Sequence, residues 1–361
     1  MNSFHIKFIN EAHNIAEKKF GTTFPNPVVG CVIAKNGKFI SKGVTNKSGR
    51  PHAEEVAIKK AGKKAKGATM YVTLEPCFHN SPEGSCTDQI LRSGIKEIFI
   101  SIVDPDPRTN NKSINKLKHN KIKVYKGINK NRTFSVNKFF FESLKNKKPY
   151  TKVKMAISHD EKIAWSDYKS KWISNVKSRE YAHKIRFCSQ AILTTAKTIA
   201  KDNPRFTVRL NGKIIKHVPI IVIDKDLKIS LDSKILKDIH KKRIIIFTSR
   251  QNNKFIKLKQ IGCEVIHLKK TKNKYFNLKN IFNIIYKLKI SDILVEAGGT
   301  FLSNLIKNNL VNELHIFKAS FNIGQEGKPL LLNKKLYEIK KKLIEKRKFH
   351  DNYYYKYFIN K

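Results

Sequence analysis

The chain has 361 residues, 40% of them hydrophobic, and a formal net charge of +46. That length suits two domains, and that apolar content excludes a disordered chain. Only 11 of the 74 Lys and Arg residues are Arg, whose planar fork is the better reader of phosphates and bases. With Ile, Asn and Phe abundant beside the Lys, the charge reads as AT-rich codon bias and argues against specific nucleic-acid binding. The five Cys residues, an odd number at low density, do not suit a disulfide scaffold and fit a reducing, cytoplasmic compartment.

Taken in order, residues 1–20 carry Phe4, Phe8, Ile9, Ala12, Ile15 and Ala16 at helical spacing. They lack the continuous apolar run of a signal peptide, and no stretch approaches a membrane span. Val28–Ala34 reads as a buried strand, Asn36-Gly37 as a hairpin turn, and Phe39–Val44 as the partner strand. Helices are expected at 53–61 and 87–93, and strands at 68–74, 97–103 and 122–125. The Lys- and Asn-rich run 144–149 marks a boundary, giving domains at 1–147 and 148–361. Beyond it, strands are expected at 150–156, 191–195, 219–223, 243–248, 264–267, 292–296 and 314–319, with helices between several of them. Both halves thus read as α/β.

The chemical signal of the first half is His52-Ala53-Glu54, then Pro76-Cys77, then Cys86. One His and two Cys suit zinc, and three protein ligands leave a fourth position for water. Glu54, two residues after the His, is placed to move the proton of that water. This is the signature of zinc deaminases, which implies one Zn2+ per chain on His52, Cys77 and Cys86. Nucleic-acid and nucleoside deaminases commonly space their two Cys as Cys-x-x-Cys, whereas here eight residues separate them.

That longer loop, with Pro25-Asn26-Pro27, Val29–Ile33, Gly67-Ala68-Thr69, Thr73–Cys77 and Asp104-Pro105, resembles the deaminase domain of the bifunctional riboflavin-pathway deaminase/reductase family. The resemblance implies that Asn26 binds the base edge. It also marks a departure: the family's Gly-Arg-Thr-Pro-Pro-like run before the second Cys reads Ser81-Pro82-Glu83-Gly84-Ser85 here, although His79 stands where the family has a His.

The second half lacks the dinucleotide fingerprint Gly-x-Gly-x-x-Gly. A strand at 293–296, the Gly298-Gly299 turn and a helix at 301–308 could form either a tight connection or an anion site at a helix N-terminus. Lys171–Ser174, Arg186, Ala191–Leu193, Asp202–Pro204, Thr207–Arg209 and Val222–Asp224 occur in the order of the same family's reductase half. The resemblance implies a dihydrofolate-reductase-like α/β domain beside a cytidine-deaminase-like three-layer domain. It further implies NADPH contacts at Ala156, Trp172, Thr198, Asp202, Gly298 and Gly299, and substrate contacts at Ser170, Arg186, Phe206, Arg209 and Glu296. Where the family usually has Leu, Asp and Gly after the Ser of the first reductase strand, this chain reads Ser158-His159-Asp160-Glu161: the Asp is kept, and a turn that favours Gly holds Glu161.

The expectation is therefore a riboflavin-pathway enzyme. It deaminates 2,5-diamino-6-(5-phosphoribosylamino)pyrimidin-4-one with zinc, then reduces the ribosyl group to ribityl with NADPH. Its partner is a small molecule, with no membrane and no specific nucleic acid; a homo-oligomer is compatible with the sequence. One rival is a nucleic-acid base deaminase with a basic extension. The other is a basic binding module with a structural zinc, which would normally need a fourth protein ligand.

Overall fold

The computed structural model describes residues 3–79, 84–165, 173–271, 275–332 and 336–359. The chain divides into two compact units, Met1–Lys147 and Lys148–Lys361.

In the first unit, α1 (Ser3–Glu17) buries Phe8, Ile9, Ala12 and Ala16. The hairpin of β1 (Gly30–Lys35) and β2 (Lys38–Val44) closes through Asn36 and Gly37, whose φ values are 51° and 72°, the left-handed pair that a tight hairpin requires. Then follow α2 (Ala53–Ala61), β3 (Thr69–Leu74), α3 (Cys86–Ser93), β4 (Glu97–Ile102), α4 (Lys112–His119), β5 (Lys123–Lys126), α5 (Lys130–Val136) and α6 (Lys138–Asn146). The strand order is β2-β1-β3-β4-β5, with β1 antiparallel to both neighbours and β3, β4 and β5 parallel. Strand alternation divides the core between two faces. Val32, Ala34, Tyr71 and Phe99 pack against α1, while Cys31, Ile33, Met70, Val72, Ile98 and Ile100 pack against Ala53 and Ala57 of α2, Ile90 of α3 and Ile114 and Leu117 of α4. Helix, sheet and helix make the expected three layers.

Backbone contact fixes α2. A Cβ built on Gly43 of β2 would lie 2.1 Å from the Ala53 carbonyl oxygen and 2.7 Å from the Ala57 nitrogen, closer than any side chain can come. Glycine lets the first turn of α2 sit directly on the sheet.

The second unit begins with β6 (Tyr150–Ile157) and β7 (Lys162–Ala164), then α7 (Val176–Phe187), β8 (Ala191–Thr195) and α8 (Ala196–Asp202). Next come β9 (Val208–Leu210), β10 (Lys213–Lys216), β11 (Ile220–Ile223), β12 (Ile244–Thr248), α9 (Asn253–Gln260), β13 (Glu264–His267), α10 (Leu278–Lys287) and β14 (Asp292–Val295). The unit ends with α11 (Gly299–Lys307), β15 (Glu313–Lys318), β16 (Lys328–Pro329), β17 (Lys341–Phe349) and β18 (Asn352–Ile359). Nine strands form one sheet in the order β13-β12-β11-β8-β14-β6-β15-β18-β17. It is parallel from β13 to β15, with β18 and β17 added antiparallel. Val153, Met155, Leu193, Ile221, Ile245 and Val295 pack on one face with Ile281, Phe282 and Ile285 of α10 and Leu302 and Leu305 of α11. Ile192, Ile220, Val222, Ile244 and Ile246 face the other side, with Ile199 of α8 and Leu258 of α9. Leu294 and Phe317 continue that side under Ile185 of α7.

Within the 144–149 boundary segment, α6 carries the chain to Asn146. Helix α11 starts at Gly299, two residues before the helix expected at Phe301, because the Gly298 carbonyl already accepts from Phe301 and Leu302.

Candidate metal centre and reductase site

His52 is the N-cap residue of α2 and makes no side-chain cap, which leaves its ring available. Cys77 follows β3, and Cys86 opens α3, whose N-cap Ser85 accepts from the Asp88 N–H. The ligand atoms of His52, Cys77 and Cys86 all lie within 4.8 Å of one another, the one such His, Cys, Asp or Glu cluster among the described residues. His52 Nδ1 is 3.3 Å from Cys86 Sγ, and the Cys86 N–H donates to Cys77 Sγ at 3.3 Å. The Cys77 carbonyl accepts from the Thr87 hydroxyl at 2.9 Å, so the two Cys segments are locked together. A hydrogen bond from Cys86 favours the Cys77 thiolate and holds its pKa down at about 4 against the cost of burial. Two cysteine sulfurs and an imidazole this close fit zinc, whose bonds to nitrogen and sulfur are about 2.0–2.3 Å.

Glu54 sits in the first turn of α2 and is only 3% exposed. Burial raises its pKa to about 7, with His52 opposing and Cys77 reinforcing the shift. Asn26 donates its amide to the Gly49 carbonyl at 3.0 Å, which ties it to the loop leading into His52. The departures at Ser81, Pro82 and Glu83 lie outside the described residues.

Glu75, read only as part of a motif, is a buried hub. Its carboxylate accepts from the Asp104 and Asn111 amides, both at 3.1 Å, and from the Ser113 hydroxyl at 2.9 Å. It thereby fastens the end of β3, just before Cys77, to the 104–113 segment.

In the second unit, both Glu296 oxygens meet Arg186, at 2.5 and 2.9 Å, and Lys154 is 3.2 Å from one of them. Burial disfavours the Glu296 carboxylate, but Arg186 and Lys154 outweigh it and hold its pKa well below the ordinary range. The Arg186 guanidinium lies 5.8 Å from the Phe206 ring centre and donates to the Thr207 carbonyl. Arg209 donates from Nε to the Thr207 hydroxyl at 3.1 Å. Arg186, Phe206, Arg209 and Glu296 are thus brought together.

Ala156, Thr198 and Gly298 stand at or just beyond the carboxyl ends of β6, β8 and β14, adjacent strands where open α/β sheets bind ligands. Thr198 closes on the Thr195 hydroxyl at 3.1 Å, and Asp202 ends α8 within the field of Lys154. The two glycines differ. A Cβ on Gly299 would meet the Leu330 carbonyl oxygen at 2.3 Å, so packing alone requires glycine there; one on Gly298 would meet nothing within 4 Å. Ser170 and Trp172 lie outside the described residues. Sequence reading missed Lys154, although Lys152 and Lys154 at alternate positions of a buried strand were a signal: both point to one face, where Lys152 pairs with Asp292 at 2.7 Å.

A three-layer unit with a His-Cys-Cys centre and a buried Glu, joined to a parallel-sheet unit with a cluster of Arg186, Lys154 and Glu296, defines a deaminase fused to a reductase. Residues 2–102 match the cytidine and deoxycytidylate deaminase zinc-binding region, and residues 149–354 match the RibD C-terminal domain. The riboflavin biosynthesis protein RibD of Aquifex aeolicus is 38% identical over 88% of this chain and 87% of its own length. That of Escherichia coli is 30% identical over 90% and 89%. Among solved structures, Acinetobacter baumannii RibD superposes with a TM-score of 0.90 at 26% identity. A Thermotoga maritima diaminohydroxyphosphoribosylaminopyrimidine deaminase/5-amino-6-(5-phosphoribosylamino)uracil reductase gives 0.84 at 28%, and each of these comparisons covers 99% of both chains. The chain belongs to the RibD family, the bifunctional deaminases and reductases of riboflavin biosynthesis. Its two activities use zinc and NADPH. No helix among the described residues is long and apolar enough to cross a membrane.

Proposed function

We propose that the first unit removes an amino group from 2,5-diamino-6-(5-phosphoribosylamino)pyrimidin-4-one and that the second reduces the ribosyl group of the product to ribityl. The observation that carries the first assignment is Glu54, buried beside three convergent donor atoms. His52, Cys77 and Cys86 hold zinc, which when bound supplies a water of lowered pKa. Glu54 takes a proton from the attacking water and returns it to the leaving amine. Asn26 reads the edge of the base.

In the second unit Arg186 and Arg209 hold the sugar phosphate, as fixed planar donors do. Glu296 orients Arg186 and Lys154, and Phe206 packs the pocket wall. NADPH, when bound, supplies the hydride. Ala156, Thr198 and Gly298 at the strand ends hold it, with Asp202 at the end of α8, Gly299 at the start of α11, and Trp172, while Ser170 meets the substrate. The five cysteines are free, which supports a cytoplasmic, reducing setting. The long spacing between Cys77 and Cys86 and the full second unit favour this reading over a nucleic-acid deaminase.

Metal analysis tests the first assignment. The purified protein is expected to carry about one zinc per chain, and Cys77→Ala to lose it, because two ligands rarely retain zinc. Full zinc content in that variant would remove Cys77 from the donor set.

A further inference from the structure

His183 lies on α7 three residues before Arg186, so the two share a helix face. The Arg209 backbone N–H donates to His183 Nδ1 at 3.1 Å. A backbone amide can only donate, so Nδ1 is the acceptor and the proton of the neutral ring sits on Nε2. The ring is half-buried, and among the described residues nothing hydrogen-bonds to Nε2.

The surroundings fix the charge of this ring. Arg186, Arg209 and Lys154 act on it, opposed by Glu296, and burial together with these cations pushes its pKa down to about 4. At neutral pH it is an uncharged N–H donor. Both Glu296 oxygens are already engaged by Arg186 and Lys154. Around the ring, Arg186, Arg209 and Lys154 outnumber Glu296, and an anion beside them would balance the charge.

We propose that His183 is a substrate-binding residue of the reductase half, donating its Nε2–H to a phosphate monoester beside the Arg209 guanidinium. The proposal rests on the reading that Arg186, Arg209 and Glu296 surround the ribosyl phosphate. Two phosphate monoesters take part in the reaction, one on the sugar and one on the 2′-position of NADPH. The partners of His183 place it at the sugar phosphate. An imidazole held neutral by its neighbours adds a directed donor where a further cation would be repelled.

The test uses full-length, zinc-loaded protein, with the deaminated ribosyl intermediate and NADPH varied separately. His183→Leu is expected to raise KM for the intermediate by about 10- to 100-fold, the scale of one hydrogen bond to a charged group, with kcat falling less than about threefold. Inhibition by inorganic phosphate, competitive with the intermediate, should weaken in parallel. His183→Gln, which can still accept from Arg209 and donate outward, should recover most of the loss. An unchanged KM for the intermediate in His183→Leu would overturn the proposal. So would a rise confined to KM for NADPH, which would assign the ring to the 2′-phosphate, or a loss that His183→Gln does not recover. If the unsubstituted protein fails to reduce the intermediate at all, the parent reading of the reductase site falls instead.

Discussion

Glu161 has φ +61°, a conformation that costs an L-residue about 1–2 kcal/mol. Here the family's glycine is missing, yet the turn forms, because its neighbours over-determine it. The Ser158 hydroxyl donates to Asp160 at 2.5 Å and accepts the Lys162 N–H at 2.9 Å, and Asp160 accepts from Ile323 and Gly324 at 3.0 and 2.8 Å. Among the described residues, the Glu161 carboxylate accepts one long hydrogen bond, 3.3 Å from the Leu336 N–H, and lies within the field of Lys341. Glu161→Gly should therefore stabilise the second unit, by about 0.5–1 kcal/mol, in urea denaturation; a loss of stability would mean that the Leu336 bond outweighs the strain.

Asp104 offers a pH-dependent counterpart. Burial raises its pKa to about 7, aided by Asp106 and Glu75. A carboxyl whose folded pKa exceeds its unfolded value binds its proton more tightly when folded. That contribution is complete below about pH 4 and is lost as pH rises through about 7. Asp104→Asn keeps an oxygen for the Asp106 N–H, now 2.8 Å away. It should leave unfolding unchanged near pH 4 and stabilise the first unit by about 2–4 kcal/mol at pH 8. Equal effects at both pH values would show that Asp104 is ionised in the folded protein. Neither residue's behaviour was legible in the sequence: Glu161 was visible only as a missing glycine, and the carboxylates of Glu75 and Asp106 meet Asp104 only in the folded unit. The centre of His52, Cys77 and Cys86 was legible because the chemistry dictates the residue types and their order.

At the scale of elements, α2 carries both His52 and Glu54, and Gly43 sets its height above the sheet. Gly43→Ala must push the first turn of α2 away, since the obstructing atoms are backbone. Thermal unfolding should show a loss of about 1–3 kcal/mol, and deamination should fall by about 10²-fold, the usual penalty for misplacing a catalytic group by 1 Å. Unchanged deamination would mean that α2 does not set the geometry of Glu54. Most strands were readable to within a residue, since a buried strand of a parallel sheet is a nearly continuous apolar run. The β9–β10 hairpin was missed despite its signal: Asn211-Gly212 adopts φ values of 48° and 76°, close to those of Asn36-Gly37. β17 had no such signal. Its residues are mostly exposed, so its Lys-rich sequence shows no apolar alternation and reads as a solvated tract.

For the whole molecule, the excess of Lys over acidic residues has not altered the buried charges. Lys152 is paired with Asp292, and Arg186 and Lys154 with Glu296, as low-dielectric surroundings demand. Two independent sites share one chain, and two variants assayed side by side separate them. Each is given the diaminopyrimidinone substrate, and separately the deaminated intermediate with NADPH, and both products are followed. Glu54→Gln should lower deamination by about 10²–10⁴-fold, keep its zinc, and reduce the supplied intermediate at the rate of the unsubstituted protein. Arg209→Ala should do the reverse, losing reduction while deamination stays nearly intact. Loss of both activities in a folded Glu54→Gln protein, or deamination left untouched by it, would contradict the account.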